Sequence, residues 1–216
     1  MTSRAQLSPD HILACVLAGG QSRRMGGGDK TLLDIGSKPM LTYILERLRP
    51  QTNQIVLNAN GDPERFTQYD LPVVSDTIDG FAGPLAGILA GLTYARTHCP
   101  DVTHVVSVAG DTPFFPQDLI ARLTAPIPDK KPVIALATSH ERLHPVFGLW
   151  PVELLDDLER WLASGKSGKV LAWVDRHDSI EVAFPDDPET GLDPFFNANR
   201  PEDLDVARSA LEKASA

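Results

Sequence analysis

The sequence predicts an α/β fold, a mostly parallel sheet with helices on both faces. Two observations carry this. Short apolar, β-branched runs alternate along the chain with segments whose apolar residues recur at i, i+3, i+4 and i+7, the strand and helix periods respectively. The strand cores, VVSVA and VIALA among them, are continuously apolar, as burial on both faces of a sheet requires. The length of 216 residues suffices for one large domain with a full core.

In chain order, strands are expected over residues 12–18, 54–59, 71–75, 104–109, 132–138, 146–150 and 180–184. Leu41, Ile44, Leu45 and Leu48 form one helical face between them, and Leu85, Ile88, Leu89 and Leu92 another. Pro39, Pro84, Pro116, Pro151 and Pro201 each open a helical pattern. Proline suits the first helical position because its missing N–H would have no partner there. This usage explains much of the count of 18 prolines without invoking disorder. Residues 185–194 (PDDPETGLDP) read as an acidic surface loop before a last helix from Pro201 to about Lys213. Residues 1–10 read as a disordered or short polar tail, and 11–216 as a single domain.

Composition narrows the function classes. A formal net charge of −9 argues against a nucleic-acid binder. No run approaches the ~18 apolar residues of a membrane span, and the first ten residues lack the apolar core of a secretory signal. Cys15 and Cys99 stand in no zinc spacing and read as reduced thiols of a cytoplasmic protein.

Open parallel sheets bind ligands at the carboxyl ends of their strands. Those ends carry LAGGQSRRMGGGDK, Asn58-Ala59-Asn60, Asp76 and Gly110-Asp111-Thr112-Pro113. Convergence of these four segments would gather glycines, amides, two carboxylates and a basic cluster on one edge, the makings of a metal–nucleotide site. Gly19, Gly20, Gly26, Gly27 and Gly28 let the backbone approach an anion closely. Arg23, Arg24 and Lys30 outnumber Asp29 within an acidic chain, and arginine forks match phosphate oxygens. The spacing fits neither the P-loop, since Asp29 stands between Gly28 and Lys30, nor the dinucleotide pattern G-x-G-x-x-G. Asp111, after a buried strand, is enough to anchor Mg²⁺, which completes its shell with water and phosphate oxygens; the alternative is an aspartate that only caps a turn. Asp76 has the same two readings.

The loop L-A-G-G-x-S-x-R-M-G-x-x-D-K, carried by Leu17, Ala18, Gly19, Gly20, Ser22, Arg24, Met25, Gly26, Asp29 and Lys30, resembles the signature of the molybdenum cofactor guanylyltransferases, which attach GMP to molybdopterin. Asn58-Ala59-Asn60, Gly83-Pro84-Leu85-Ala86-Gly87, Asp111-Thr112-Pro113, His144-Pro145 and Asn197-Ala198-Asn199 are similar to further segments of that family, so the resemblance spans about residues 12–210. It implies a three-layer α/β/α Rossmann-like nucleotidyltransferase fold, Mg²⁺ as cofactor, and GTP and molybdopterin as substrates. It also implies transient contact with other cofactor-biosynthesis or molybdoenzyme proteins. By the same resemblance, the backbone of Leu17, Ala18 and Gly19 would lie along the nucleotide, and Arg24 and Lys30 would neutralise the triphosphate. Asn58 and Asp76 would contact the guanosine, and Asp111 would hold Mg²⁺ and phosphates. Related cytidylyltransferases usually read L-A-A-G, with a larger residue in place of Gly19; glycine there leaves room for a purine and favours GTP.

The reaction then expected is an in-line displacement. A terminal phosphate of molybdopterin attacks the α-phosphorus of GTP, pyrophosphate leaves, and an already anionic nucleophile needs no base. The alternatives are a molybdopterin cytidylyltransferase, another small-molecule nucleotidyltransferase such as a sugar-nucleotide pyrophosphorylase, or a non-catalytic GTP-binding module. Lys166 and Lys169 are candidates for the acceptor phosphate, weighed against a solvated loop, and His144 reads as a packing or hydrogen-bonding histidine.

Overall fold

The computed structural model describes residues 7–19, 29–78, 83–128, 131–187, 191–198 and 201–214. Among them, nine strands run in chain order: β1 (Ile12–Leu17), β2 (Asp34–Ile35), β3 (Lys38–Pro39), β4 (Gln54–Asn58), β5 (Val73–Val74), β6 (His104–Ala109), β7 (Ile134–Ser139), β8 (Arg142–Pro151) and β9 (Ser179–Ala183). The helices are α1 (Met40–Leu48), α2 (Pro84–His98), α3 (Leu119–Thr124), α4 (Leu155–Ala163), α5 (Val170–Val174) and α6 (Pro201–Ala214). Seven strands form one sheet in the order β5-β4-β1-β6-β8-β7-β9, and β2 and β3 pair as a separate two-residue ribbon. Neighbours are parallel except at β8, which runs antiparallel to both β6 and β7.

Alternation along β1 divides the core. Ile12, Ala14 and Val16 face one side, where they join Leu41, Ile44, Leu45 and Leu48 of α1, Leu119 and Leu123 of α3, and Leu204 and Ala207 of α6. Leu13 and Cys15 face the other, with Leu85, Ile88, Leu89 and Leu92 of α2, Leu155, Leu158 and Leu162 of α4, and Trp173 of α5. The expected three layers and mostly parallel sheet are therefore present, and both helical faces read from the sequence are buried ones. Helix α2 lies very close to the sheet because two of its sheet-facing residues are glycines. A Cβ on Gly91 would sit 2.9 Å from Cys15 Sγ, and one on Gly87 would sit 2.8 Å from Leu17 Cδ2.

Four readings need correction. Of the five prolines expected to open helices, only Pro84 and Pro201 take the first helical position, while Pro39 and Pro151 stand one residue earlier, at the N-caps of α1 and of the short helix Val152–Leu154. Pro39 and Pro151 end strands, and Pro116 lies three residues before α3; the fixed φ of proline serves a strand edge as well as a helix start. Strand β8 starts at Arg142 rather than residue 146. Its pairing with β7 slips between Leu136 and Ala137, which take Gly148 and His144 as partners, and this irregularity accommodates Pro145, which lacks an N–H for the ladder. Strand β5 shrinks to two residues, and α5 lay unread in the sequence. Finally, the acidic stretch 185–194 is not simply solvated: Leu192 packs on the core, Asp187 pairs with Arg47 at 3.7 Å, and Asp193 accepts from Ser139 Oγ at 2.8 Å. Ahead of β1, Ser8 caps a short turn, Pro9–His11, and Asp10 accepts from Asn53, so this part of the expected tail is tied to the body.

Candidate active site

The carboxyl ends of β4, β1 and β6 lie side by side, because Leu17 is in register with Asn58 on one flank and Ala109 on the other. The chain leaving β1 is clasped between them. Ala18 donates its N–H to Asn58 O at 2.8 Å, and Gly110 donates to Leu17 O at 3.1 Å. Gly110 has to be glycine here, since a Cβ would lie 2.5 Å from Thr31 Cγ2 and 2.8 Å from Leu17 O. Ala18 thus has its donor engaged within the fold and its side chain buried, while Gly19 emerges exposed at the edge.

Lys30 and Asp111, expected to meet phosphate and metal, are brought together. Lys30 Nζ lies 3.0 Å from Asp111 Oδ2, with the lysine side chain 12% and the aspartate 31% exposed. Asp111 follows β6 and is fixed from behind by the C-terminal segment: Ala198 donates its N–H to Asp111 O at 2.9 Å, and the fully buried Thr112 donates its hydroxyl to Asn197 Oδ1. Asn197, which the sequence marks only as part of the Asn197-Ala198-Asn199 segment, therefore buttresses the turn that presents Asp111. Asn199 and Arg24, with the rest of the loop at 20–28, lie outside the described residues.

The second pair of expected residues also meets. Asp76 accepts from Asn58 Nδ2 at 2.9 Å and Asn60 Nδ2 at 2.8 Å, and its own N–H donates to Asn60 Oδ1 at 2.9 Å. The N-A-N motif thus holds one carboxylate level with the end of β1. Asn58 is 5% exposed, and its Oδ1 faces Gly87 of α2 so closely that a Cβ there would overlap it.

Other candidates sit elsewhere. His144 Nε2 and Ser139 Oγ are 2.7 Å apart, and the imidazole packs on the ring of Phe195. Burial lowers the His144 pKa, with Asp193 working the other way and Arg142 and His140 adding to the lowering. It is a packed, hydrogen-bonded histidine, as expected. Lys166 Nζ stacks over Trp161 at 5.1 Å, and Lys169 stands at the N-cap position of α5 without a side-chain capping bond. Buried Cys15 has its thiol pushed up to about 12 by desolvation, with Asp76 adding to the shift, so it is an inert core residue. Arg65 escaped the sequence reading. It binds Asp29, Asn60 O and Asp62 O, and no motif marks it. Among the described residues there is no cluster of three or more metal-binding side chains, and no helix is long and apolar enough to cross a membrane.

The sequence matches the model of the MobA-like NTP transferase domain over residues 14–180. It is 51% identical over 201 residues to the molybdenum cofactor guanylyltransferase of Mesorhizobium japonicum, covering 93% of this chain and 96% of that one. Among solved structures, the molybdopterin-guanine dinucleotide biosynthesis protein A of Archaeoglobus fulgidus superposes with a TM-score of 0.73 at 24% identity, over 93% of this chain and 98% of that chain. The 4-diphosphocytidyl-2C-methyl-D-erythritol synthase of Anaerococcus prevotii superposes with a TM-score of 0.71 at 16% identity, over 97% and 100%. The fold is therefore shared by proteins bearing different names, whereas the sequence match is specific: the chain belongs to the molybdenum cofactor guanylyltransferase family of nucleotidyltransferases.

Proposed function

We propose that the protein transfers GMP from GTP to molybdopterin, releasing pyrophosphate and forming the guanine dinucleotide cofactor. The observation that carries this reading is the placement of two preformed polar pairs, Lys30–Asp111 and Asn58–Asp76, on the strand ends that flank Leu17. One pair suits a triphosphate and the other a nucleoside, with the exposed Gly19 between them.

The nucleotide would lie along Leu17, Ala18 and Gly19. Lys30, already aimed at this edge by Asp111, would turn its ammonium to the triphosphate oxygens, with Arg24 assisting from the loop. The Asn58–Asp76 unit would hold the guanosine. The terminal phosphate of molybdopterin would then attack the α-phosphorus in line, the bond to the β-phosphate bridging oxygen would break, and pyrophosphate would depart with its charge met by Lys30 and Arg24. Catalysis on this account is positioning and charge neutralisation, and no side chain need remove a proton. Asp111 fits a Mg²⁺ ion that arrives with the nucleotide, because it is a hard, part-exposed carboxylate and Mg²⁺ needs only one or two of these beside phosphate and water. When bound, such an ion withdraws charge from the phosphate oxygens. A pyrophosphate-release assay with GTP, CTP, ATP and UTP, each with and without molybdopterin, tests the reading. Release with GTP only when molybdopterin is present is the expected result. Preference for CTP would make the protein a cytidylyltransferase, and GTP binding without release would make it a non-catalytic module.

Gly19 supplies a sharper test of base choice. Among the described residues, a Cβ built there comes no nearer than 3.8 Å to any neighbour, an ordinary contact, so none of these neighbours demands glycine. Gly19→Ala should leave the melting temperature unchanged while shifting the ratio of GTP to CTP use about tenfold toward CTP, the scale of one methyl group in a fitted pocket. An unchanged ratio would remove Gly19 from base selection.

A further inference from the structure

Asp29 closes the glycine-rich loop and stands at the N-cap of the short helix Lys30–Leu32, with extended backbone angles. An aspartate at such a position ordinarily accepts a hydrogen bond from the first turn of its own helix. Asp29 makes no such bond. Its carboxylate pairs with Arg65, which lies 36 residues later in the helical segment Pro63–Tyr69. The guanidinium of Arg65 is engaged on its other edges as well. Nη1 donates to Asp62 O and Nη2 donates to Asn60 O at 2.5 Å, while the group stacks over the buried ring of Phe66 at 4.8 Å. Gly61, at φ +87°, turns the chain tightly around it: a Cβ there would lie 3.3 Å from Nη1. Arg65 therefore joins the backbone of the N-A-N segment to the residue that precedes Lys30. One end of this clamp holds the loop whose side chains grip Asp76, and the other fixes the exit of the loop that leads to Lys30 and Asp111.

We propose that Arg65 is a positioning residue that ties the chain entering Lys30, through Asp29, to the nucleoside-binding segment, so that Lys30 and the Asn58–Asp76 pair are set relative to each other before the nucleotide arrives. This rests on the nucleotide reading given above. Arg65 is held by its ion pair with Asp29 and by the two backbone oxygens, so it acts on the nucleotide through Asp29 and Lys30 rather than by contact. Preorganisation of this kind lowers the cost of binding more than it changes the chemical step.

The test measures KM for GTP, kcat and the melting temperature for the full-length protein and for Arg65→Gln, Asp29→Asn, the double variant and Arg65→Lys. Each single substitution should raise KM about tenfold and lower kcat much less. The double variant should be no worse than the weaker single, since both remove one shared contact. Arg65→Lys should recover part of the loss, because it restores charge to Asp29 without the fork that spans two carbonyls. Wild-type KM in both single variants, additive losses in the double, or a KM rise that merely follows an unfolded fraction would each overturn the proposal. Direct titration of the unmodified protein with the four nucleoside triphosphates separates the two readings. If it binds none, the nucleotide reading falls and this inference with it. If it binds GTP and Arg65→Gln binds equally well, this inference alone falls.

Discussion

Asp111→Asn should lower pyrophosphate release on the order of a thousandfold while leaving the fold intact. The amide is nearly isosteric, and the contacts that place this turn survive the change. They run through the backbone of residue 111, which accepts from Ala198 N–H, and through Thr112, which donates to Asn197. The change removes the charge that both pairs with Lys30 and fits a metal. Lys30, only 12% exposed, then faces a neutral group at this position, and its ammonium loses the ion pair with Asp111. Because Asp111 is 31% exposed, the pair is partly screened, so its loss should cost about 1 kcal/mol of stability. That corresponds to a fall of about 2–4 °C in melting temperature for a domain of this size. The two effects are far apart in scale, which makes the experiment decisive. A thermal melt close to wild type combined with lost turnover places Asp111 in the chemistry. Near-normal pyrophosphate release would confine it to the turn, the alternative that an aspartate before Thr-Pro always carries.

How far the sequence foretold this molecule depends on what kind of signal each part carries. The long strands β1, β4 and β6 were legible because they are buried on both faces and read as unbroken apolar runs. Strand β5 is an edge strand of two partly buried residues, and α5 is a single turn and a half, too short for a period to show. The proline pattern misled at Pro39 and Pro151 because the same fixed φ suits the end of a strand and the start of a helix. In the site, Asn58, Asp76 and Asp111 were visible because each stands at the carboxyl end of a strand, and Lys30 because it ends the glycine-rich stretch after β1; the rule that ligands sit at strand carboxyl ends needs no knowledge of side-chain direction. The pairing of Asn58 with Asp76 follows from β4 and β5 being neighbours. The support of Asp111 by Asn197, and the hold of Arg65 on Asp29, depend on where distant loops return. No local periodicity encodes that. Arg65 in particular lies in NGDPERF, a stretch whose charge pattern is that of any solvated turn.

Gly87→Ala should damage both stability and nucleotide binding, although alanine is the better helix former. In an exposed helix this substitution would gain about 1 kcal/mol. Here a Cβ would overlap Asn58 Oδ1 and lie 2.8 Å from Leu17 Cδ2, and α2 is pressed on the sheet by its other packed residues as well. Overpacking of this kind costs about 1–3 kcal/mol, enough to cancel the helical gain and generally to exceed it. The cheaper relief is for Asn58 to swing away, since one side-chain torsion moves more easily than a buried helix. That movement breaks the 2.9 Å hydrogen bond to Asp76 and unseats the group assigned to the guanosine. GTP binding should therefore weaken at least about tenfold, the effect of one lost polar contact in a fitted site. A cycle with Asn58→Ala identifies the route. Once Asn58 is shortened, Gly87→Ala should cost little further affinity, because the collision that transmitted its effect is gone. If Gly87→Ala instead raises the melting temperature and leaves GTP affinity unchanged, α2 can shift to admit the methyl group, and the close approach of this helix to Asn58 is not what fixes the nucleoside end of the site.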